Sequence, residues 1–547
     1  MSEIGQGIAR REIHGWSIRH NAALAAQART RGWWLDTTIA EAAAKLNRAE
    51  PERVVAIDGG HRLTAAKLYA DALQLADAMR RQGLKAGDVV SFMLPNWYES
   101  CVVYLAASIA GLVVNPLVTA YRNAELRFML DDCRSRMIFI PSSFRKHDYV
   151  HMLSEVCPTL PQAPQVIVLR GDSGPFVSYD EFRASGEAVD NFQRVDPDSV
   201  RMVLYSSGTT GRPKGVLHTH NSLNADIVQL HERWSCDAHA RFFIPSPVSH
   251  IGGSIYAFEM PLLFRVTAVL LDIWDAEVAV ETIVREQCTH TAGATPFLQQ
   301  ILAAAKKSGS RLPSMELFIC GGASVPPSLV REASEWFEKC VVTRVYGSTE
   351  VPTITVGAVQ PGDVAHAAET DGEIGYAEVK LADVSNGEGE IWARAPQMLV
   401  GYLRQEDEAS AFDADGFFRS GDLGRIQDGK YIVISGRKKD IIIRHGENIS
   451  PKEVEDVLVL HPDIGEVAIV GIPSERTGEM ACAFVVARND AQLTVAALAE
   501  FLSARAVARY KFPERVELRE SLPKNVTGKV LKHQLRNELV ESDKRAG

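Results

Sequence analysis

From about Val54 onward, short apolar runs rich in β-branched residues recur along the chain: VVAI (54–57), VVSFML (89–94), MIFI (137–140) and VIVL (166–169). Between them lie longer stretches with Ala and Leu at helical spacing, such as LTAAKLYADALQLADAMRRQG (63–83). Strands that alternate with helices predict parallel sheets with helices on both faces, because a parallel connection needs a crossover long enough to hold a helix. Residues 100–121 carry no charge. Asn115 and Pro116 interrupt that stretch, which therefore reads as a buried helix ending near Gly111 and a buried strand over 112–114, not as a membrane span. Residues 1–50 read as an Arg-rich helical lead-in ending in a surface segment.

After about Tyr376 the pattern changes. Segments 389–403, 417–438 and 440–450 are short strands separated by Gly and Asp turns, which is hairpin chemistry. SPKEVEDVLVLHP (450–462) then reads as a helix, with Ser450 as cap, Pro451 in the first turn and Glu453 at the third helical position. Strands at 466–473 and 482–487 and a helix at 496–507 follow. The expected architecture is α/β. Residues 1–438 form a large domain of helix-covered parallel sheets plus a β-rich subdomain, and residues 439–547 form a small α+β domain able to swing as a unit.

Composition narrows the class. Hydrophobic residues make up 46% of the 547 positions and charged residues 23%, enough apolar surface to exclude a disordered chain. The 59 Lys and Arg stand against 69 Asp and Glu, and a net charge of −10 argues against a nucleic-acid partner, which asks for a basic face. Eight cysteines with no CxxC pair give neither a disulfide framework nor a zinc knuckle, so a reducing cytoplasm is the expected compartment. The N-terminal MSEIGQGIARREIHGW has no apolar core of a secretory signal.

The strongest local signal is YSSGTTGRPKGVLHTHNS (205–222). Glycines let backbone N–H groups turn toward a polyphosphate, while the hydroxyls and Lys214 add donors. A flexible surface loop is the bland alternative, but the segment lies between two apolar runs and combines every anion-binding residue type. The chain contains no GxxxxGK[ST], which removes P-loop enzymes from consideration.

SSGTTGRPKG (206–215) resembles the AMP-binding signature of the acyl-adenylate-forming superfamily, which includes acyl-CoA synthetases, peptide-synthetase adenylation domains and luciferases. It is followed in family order by SHIGG (249–253), GGASVP (321–326), VYGSTE (345–350), SGDLG (420–424), GRKKDIIIRHGENISPKEVE (436–455) and PKNVTGK (523–529). The resemblance spans roughly residues 35–540 and is strongest to free-standing acyl-CoA synthetases. It implies that a carboxylate attacks the α-phosphorus of ATP, releasing pyrophosphate, and that the acyl-AMP then passes its acyl group to coenzyme A.

The same resemblance implies roles. Ser206, Ser207, Gly208, Thr209, Thr210, Gly211 and Lys214 would wrap the β- and γ-phosphates. Thr209 and Glu350 would hold Mg²⁺, a cation that takes oxygen ligands. Thr349 would contact the α-phosphate, with Gly347 and Ser348 completing that loop. Tyr346 would lie against adenine beside the backbone of Gly321, Gly322 and Ala323. Asp422 would accept from the ribose hydroxyls, with Arg437 also reaching the ribose. Lys529 would be the catalytic lysine between carboxylate and α-phosphate, and His250 a gate beside the carboxylate. Without the PKNVTGK frame Lys529 would read as surface charge, since residues 503–547 hold 11 Lys and Arg against 6 Asp and Glu.

One site cannot keep Lys529 over the α-phosphate and also admit a thiol. The family resolves this by rotating the small domain about a hinge, here Lys439. Arg444, His445 and Gly446 would line the coenzyme A path, where many relatives carry two adjacent glycines. The acyl pocket would be built from His250, Gly252, Gly253, Gly322, Gly347 and Pro352. These positions offer no Arg or Lys for a second carboxylate and no acid for an ammonium, which disfavours dicarboxylates and amino acids. RGWWLDTT (31–38) resembles synthetases for medium-chain or alicyclic acids, including cyclohexanecarboxylate. PKNVTGK also resembles the site at which bacteria acetylate such enzymes, which implies a lysine acetyltransferase and deacetylase acting on Lys529. Homodimers are common among relatives. A carrier-protein-loading acyl-AMP ligase or a luciferase-like enzyme, and a non-enzymatic nucleotide sensor, are the other classes; nothing after Lys532 resembles a carrier domain.

Overall fold

The computed structural model describes residues 8–190, 194–206, 212–445, 447–474, 476–489, 491–524 and 528–546, with 542–546 by backbone alone. Among the described residues, two seven-stranded sheets carry the N-terminal body. The first runs in the order Val177–Ser178, Gln165–Leu169, Met137–Pro141, Val89–Phe92, Val113–Pro116, Val200–Ser206 and Lys214–Thr219. The second runs Val341–Val345, Leu317–Gly321, His290–Gly293, Arg241–Ile244, Thr267–Leu270, Val54–Asp58 and His61–Thr64. Neighbours are parallel in both, except for one antiparallel pair at one edge of each. The predicted apolar runs are thus the sheet strands, and the Ala/Leu stretch is the helix Ala65–Arg81.

The uncharged stretch forms the helix Tyr98–Ile109 and the strand Val113–Pro116. The helix is buried along nearly all of its length, so it is apolar all round because it packs within the core, in part against Ala65–Arg81. Among the described residues no helix is long and apolar enough to cross a membrane. Seven of the eight cysteines are buried.

The expected helical lead-in is corrected. The described chain opens with a β-ribbon, Ile8–Ile13 paired with Trp16–Asn21, and only then enters the helices Ala22–Thr30 and Ile39–Ala49. His14 (φ 50°) and Gly15 (φ 82°) supply the two positive φ values that a two-residue hairpin turn needs. Long-range ion pairs then fix the ribbon: Arg11 lies 2.6 Å from Asp198, and Arg10 and Arg19 converge on Glu408. Those partners are distant in sequence, which is why the arginines read locally as a helix face.

The third sheet is antiparallel, Glu378–Ser385, Glu388–Arg394, Phe418–Gln427 and Tyr431–Arg437. The chain leaves it at Arg437, makes one 3₁₀ turn over Lys438–Asp440 and enters a different sheet at Ile442–Arg444. That last sheet, completed by Glu447–Ile449, Ile464–Ser474, Gly478–Ala487 and Arg515–Leu518, carries the helices Pro451–Leu458, Val495–Ser503 and Lys532–Ala546. Ser450 does precede the first of these helices, but its side chain does not cap it. Its hydroxyl donates instead to the carbonyl of Ser435 across the junction, and Glu453 pairs with Lys511. A tertiary acceptor has displaced the local capping box.

Candidate active site

The first sheet leads to the segment expected to bind phosphates. Its strand Val200–Ser206 ends where Ser206 Oγ donates to Glu350 Oε1 at 2.9 Å. The Tyr402 hydroxyl donates to the same oxygen at 3.3 Å, so Oε2 takes neither. Lys214 lies opposite Ser206 in the antiparallel register, 3.7 Å from Asp407 and 5.2 Å above the Tyr402 ring. Ser207, Gly208, Thr209, Thr210 and Gly211, expected to bind phosphates, lie outside the described residues. What is described fits a hard divalent cation at Glu350: a partly buried carboxylate oriented through one oxygen, beside hydroxyl groups and a lysine that suit phosphates.

The second sheet delivers the loops expected to hold the nucleotide, from the ends of Leu317–Gly321 and Val341–Val345. A Cβ on Gly321 would lie 2.7 Å from the Val345 carbonyl oxygen, and one on Gly347 would lie 2.5 Å from the Thr353 nitrogen, so both positions demand glycine. Gly322 has φ +79° with open space around it, so there the demand is conformational. Ala323 follows, partly buried. Ser348 closes a turn: its N–H donates to the Val351 carbonyl at 3.0 Å, and its Oγ accepts from Val351 N at 3.1 Å. Pro352 is buried, and its carbonyl accepts from Gln397 at 3.2 Å.

The antiparallel sheet brings the third component. Tyr346 donates its hydroxyl to Asp422 Oδ2 at 2.8 Å, and Arg437 Nε lies 2.7 Å from Asp422 Oδ1. Asp422 and Arg437 face each other in register on neighbouring strands. Burial, then the Asp422 charge, raises the Tyr346 phenol well above its ordinary pKa, so it stays a donor. Three residues that the sequence places 15 to 91 positions apart therefore form one hydrogen-bonded group.

Lys529, from the far end of the chain, lies within electrostatic range of Asp422 and Arg437. Its ammonium is lowered from 10.5 to about 8, by burial first and then by Arg437, with Lys439 acting in the same direction and Asp422 and Asp440 opposing. The loop bearing it is closed by a bridge between Lys524 and Val530 and by Leu531 N donating to the Pro523 carbonyl at 2.8 Å. Lys439 sits in the 3₁₀ turn between the two sheets. Arg444 is engaged inside the small domain, 2.6 Å from the Tyr510 carbonyl and 2.8 Å from Glu514. His445 has φ 51°, the left-handed conformation in which glycine is at home. The call on Gly446 lies outside the described residues.

His250 precedes the short helix Ile251–Ser254, and its Nδ1 accepts from Gly252 N at 3.3 Å. Burial lowers the imidazole to about 4, so at neutral pH the ring is neutral with its proton on Nε2. Gly253 has no room for a side chain, since a Cβ would meet the Pro247 carbonyl oxygen at 2.1 Å; at Gly252 the nearest atom is His250 Nδ1, 3.6 Å away. The helix then widens into a π-turn, Ile255–Glu259, with Met260 N donating to the Ile255 carbonyl. The aromatic residues of RGWWLDTT are not at this site. Trp33 stacks on Tyr376 at 4.4 Å, Trp34 donates to the Pro396 carbonyl at 3.0 Å, and Thr38 caps Ile39–Ala49.

Sequence reasoning missed a clamp behind the nucleotide loop. His218, lowered to about 4 by burial, holds the Thr349 carbonyl at 2.7 Å through Nε2. From the helix His220–Trp234, Gln229 donates to the Thr353 carbonyl at 2.9 Å, and Asp226 accepts from the Thr353 hydroxyl at 3.3 Å. Burial raises the Asp226 carboxyl to about 7. The available signal was polar residues, His218, Asp226 and Gln229, in a segment otherwise patterned for the core.

Residues 42–403 match the family described as AMP-binding enzyme, and residues 453–529 match the AMP-binding enzyme C-terminal domain. The chain is 33% identical over 537 residues to the medium-chain fatty-acid–CoA ligase of Escherichia coli (strain K12), covering 96% of this chain and 94% of that one. It is 30% identical over 485 residues to the indoleacetate–CoA ligase of Aromatoleum aromaticum, covering 87% and 92%. The crystal structure of ATP-bound MatB from Rhodopseudomonas palustris superposes with a TM-score of 0.81 at 27% identity, covering 92% of this chain and 99% of that one. With the first of these matches covering well over half of its length, this chain belongs to the AMP-binding enzyme family.

Proposed function

We propose that the protein is an AMP-forming acid–CoA ligase: carboxylic acid, ATP and CoA become acyl-CoA, AMP and pyrophosphate. What supports this reading is the approach of Lys529 to Asp422 and Arg437, because it brings a cation from the small domain to the nucleotide corner of the large one. A carboxylate repels nucleophiles and carries a poor leaving group, and adenylation converts that oxide into AMP. Glu350, with Thr209 assigned beside it, would hold Mg²⁺, which would supply positive charge to the phosphates. Lys214 and the loop from Ser206 gather the departing pyrophosphate. Tyr346, Asp422 and Arg437 fix the nucleoside, and the Lys529 ammonium faces the charge that develops at the α-phosphate. Neutral His250 orients the carboxylate through Nε2–H without adding charge.

The substrate class we favour is a neutral medium-chain or alicyclic acid. The assigned pocket residues are apolar or small, and each buried methylene contributes about 0.8 kcal/mol. A panel of short to medium straight-chain, cyclic and aromatic acids, run with labelled ATP with and without CoA, tests both steps. The expected products are AMP and pyrophosphate, with acyl-CoA only when CoA is present. ADP and phosphate would overturn the chemistry, and acetate or a dicarboxylate with the highest kcat/KM would overturn the substrate class. Acyl-AMP that never passes to CoA would favour the carrier-loading reading.

We assign the hinge to Lys439, in the single turn between two sheets, with residues 439–547 as the moving domain. Proline there fixes φ near −65°. Lys439→Pro is expected to exchange pyrophosphate into ATP while making acyl-CoA at least about tenfold more slowly, as expected when a pivot loses its freedom. Equal slowing of both halves would remove Lys439 as pivot. Acetylation of Lys529 would delete its charge, so an acetyltransferase and deacetylase pair would switch adenylation. A cytoplasmic homodimer completes the proposal, the compartment being supported by eight cysteines without a CxxC pair or the spacing of a disulfide framework.

A further inference from the structure

Ser324 lies exposed between the strand Leu317–Gly321 and the helix Pro327–Trp336 of the large domain. Its hydroxyl crosses the domain junction and donates to Asp456 Oδ1 at 2.9 Å, on the small-domain helix Pro451–Leu458. Both partners are held from behind. Thr295 Oγ1 donates to the Ser324 carbonyl at 2.9 Å, tying that loop to the start of the helix Thr295–Ser308. Lys452, one turn before Asp456 on the same helix face, pairs with Oδ2. The serine proton is therefore given to an anion whose other oxygen is already fixed, a charge-assisted bond with a defined direction.

The same small-domain helix supports the loop of the catalytic lysine. Glu455, the neighbour of Asp456, lies 2.7 Å from Lys532 Nζ and accepts from Ile469 N at 2.6 Å. Lys532 opens the final helix three positions after Lys529. On the other side of Lys529, Gly528 has φ +82°, and a Cβ there would lie 3.4 Å from Pro296 Cγ. Pro296 adjoins Thr295, the residue that anchors Ser324. The large domain thus offers one dock, Thr295–Pro296 with Ser324, that receives both the helix Pro451–Leu458 and Gly528, the residue before Lys529.

We infer that Ser324 and Asp456 are a positioning pair, a latch that registers the small domain for adenylation and must open before the thiol can enter. The inference rests on the proposed two-step ligase reaction. An ammonium on a flexible four-carbon stem finds the α-phosphate only if its domain is registered. Losing an anchor beside it therefore slows the step that uses Lys529 and spares the step that needs Lys529 withdrawn. The bond is single and exposed, weak enough to break in every cycle.

The test uses the full-length enzyme carrying Ser324→Ala, Ser324→Asp, and Ser324→Asp combined with Asp456→Ser. Two rates are read with an eight-carbon acid: pyrophosphate exchange into ATP, and acyl-CoA formation from supplied acyl-AMP. Ser324→Ala is expected to slow exchange by about two- to tenfold, the worth of one such hydrogen bond. Ser324→Asp should slow it further, because like charges then face each other. The combined variant reverses donor and acceptor and should recover exchange relative to Ser324→Asp. Acyl-CoA formation from acyl-AMP should stay unchanged or rise in all three. Equal loss in both rates, no change in either, or no recovery in the combined variant would overturn the latch. A wild-type enzyme that forms no acyl-AMP, or passes none to CoA, would instead overturn the ligase reading itself.

Discussion

Lys529→Ala is expected to slow adenylation by about 10²–10³, because removing one preorganised group from developing charge typically costs about 3–4 kcal/mol. Formation of acyl-CoA from supplied acyl-AMP should be far less affected, and equal loss in both halves would make Lys529 structural. The pH dependence has a definite sign. Burial and Arg437 bring the ammonium down to about 8, with Lys439 adding to the shift and Asp422 and Asp440 resisting it. The charge is present below that value and lost above it. The adenylation kcat/KM, which reports the free enzyme, should therefore fall as pH rises through about 8. Lys529→Arg keeps its charge across this range, so whatever activity it retains should lack that alkaline limb. A limb unchanged in Lys529→Arg would assign it to another group.

The second large effect is on stability. Arg201, in the strand that leads to the phosphate loop, and Glu259, in the π-turn that follows His250, are 1% and 0% exposed and form a two-point ion pair at 3.0 and 2.5 Å. The Tyr104 hydroxyl also donates to Glu259, and the guanidinium carbon lies 4.7 Å from the centre of the Tyr104 ring. Breaking a buried pair leaves an uncompensated charge, so Glu259→Ala should destabilise the protein by about 3–5 kcal/mol. Replacing both partners, Arg201→Met with Glu259→Leu, removes both charges and should recover most of that loss. Denaturant midpoints measure it. A midpoint for Glu259→Ala within about 1 kcal/mol of wild type would show that water or a neighbour compensates Arg201. Because the pair ties the phosphate strand to the segment after His250, the destabilised variant should also lose affinity for ATP and acid together.

Local signals were sufficient wherever local physics decides the outcome. The apolar runs became sheet strands because a strand buried on both faces must be apolar throughout. Gly347 and Gly322 were legible as special positions, although only coordinates distinguish crowding at one from a left-handed φ at the other. The ordered motifs singled out Ser206, Glu350, Tyr346, Asp422, Arg437 and Lys529, and the structure places Ser206 against Glu350 and Tyr346 and Arg437 against Asp422.

Tertiary structure decided everything that depended on a distant partner. Residues 8–21 form a ribbon and not a helix because Glu408 and Asp198 hold their arginines. Ser450 abandons its helix for the Ser435 carbonyl. The two tryptophans of RGWWLDTT anchor the N-terminal segment to Tyr376 and Pro396, so they carry no contact information about the acyl group. His218, Asp226 and Gln229 acquire meaning only once the helix His220–Trp234 lies behind Thr349 and Thr353. The Ser324–Asp456 contact joins residues 132 positions apart in the chain, a separation that no periodicity or motif spacing encodes. The sequence by itself determined which chemical groups exist and which turns present them. Packing decided which of those groups meet, because hydrogen bonds and ion pairs act over a few ångströms of space and take no account of distance along the chain.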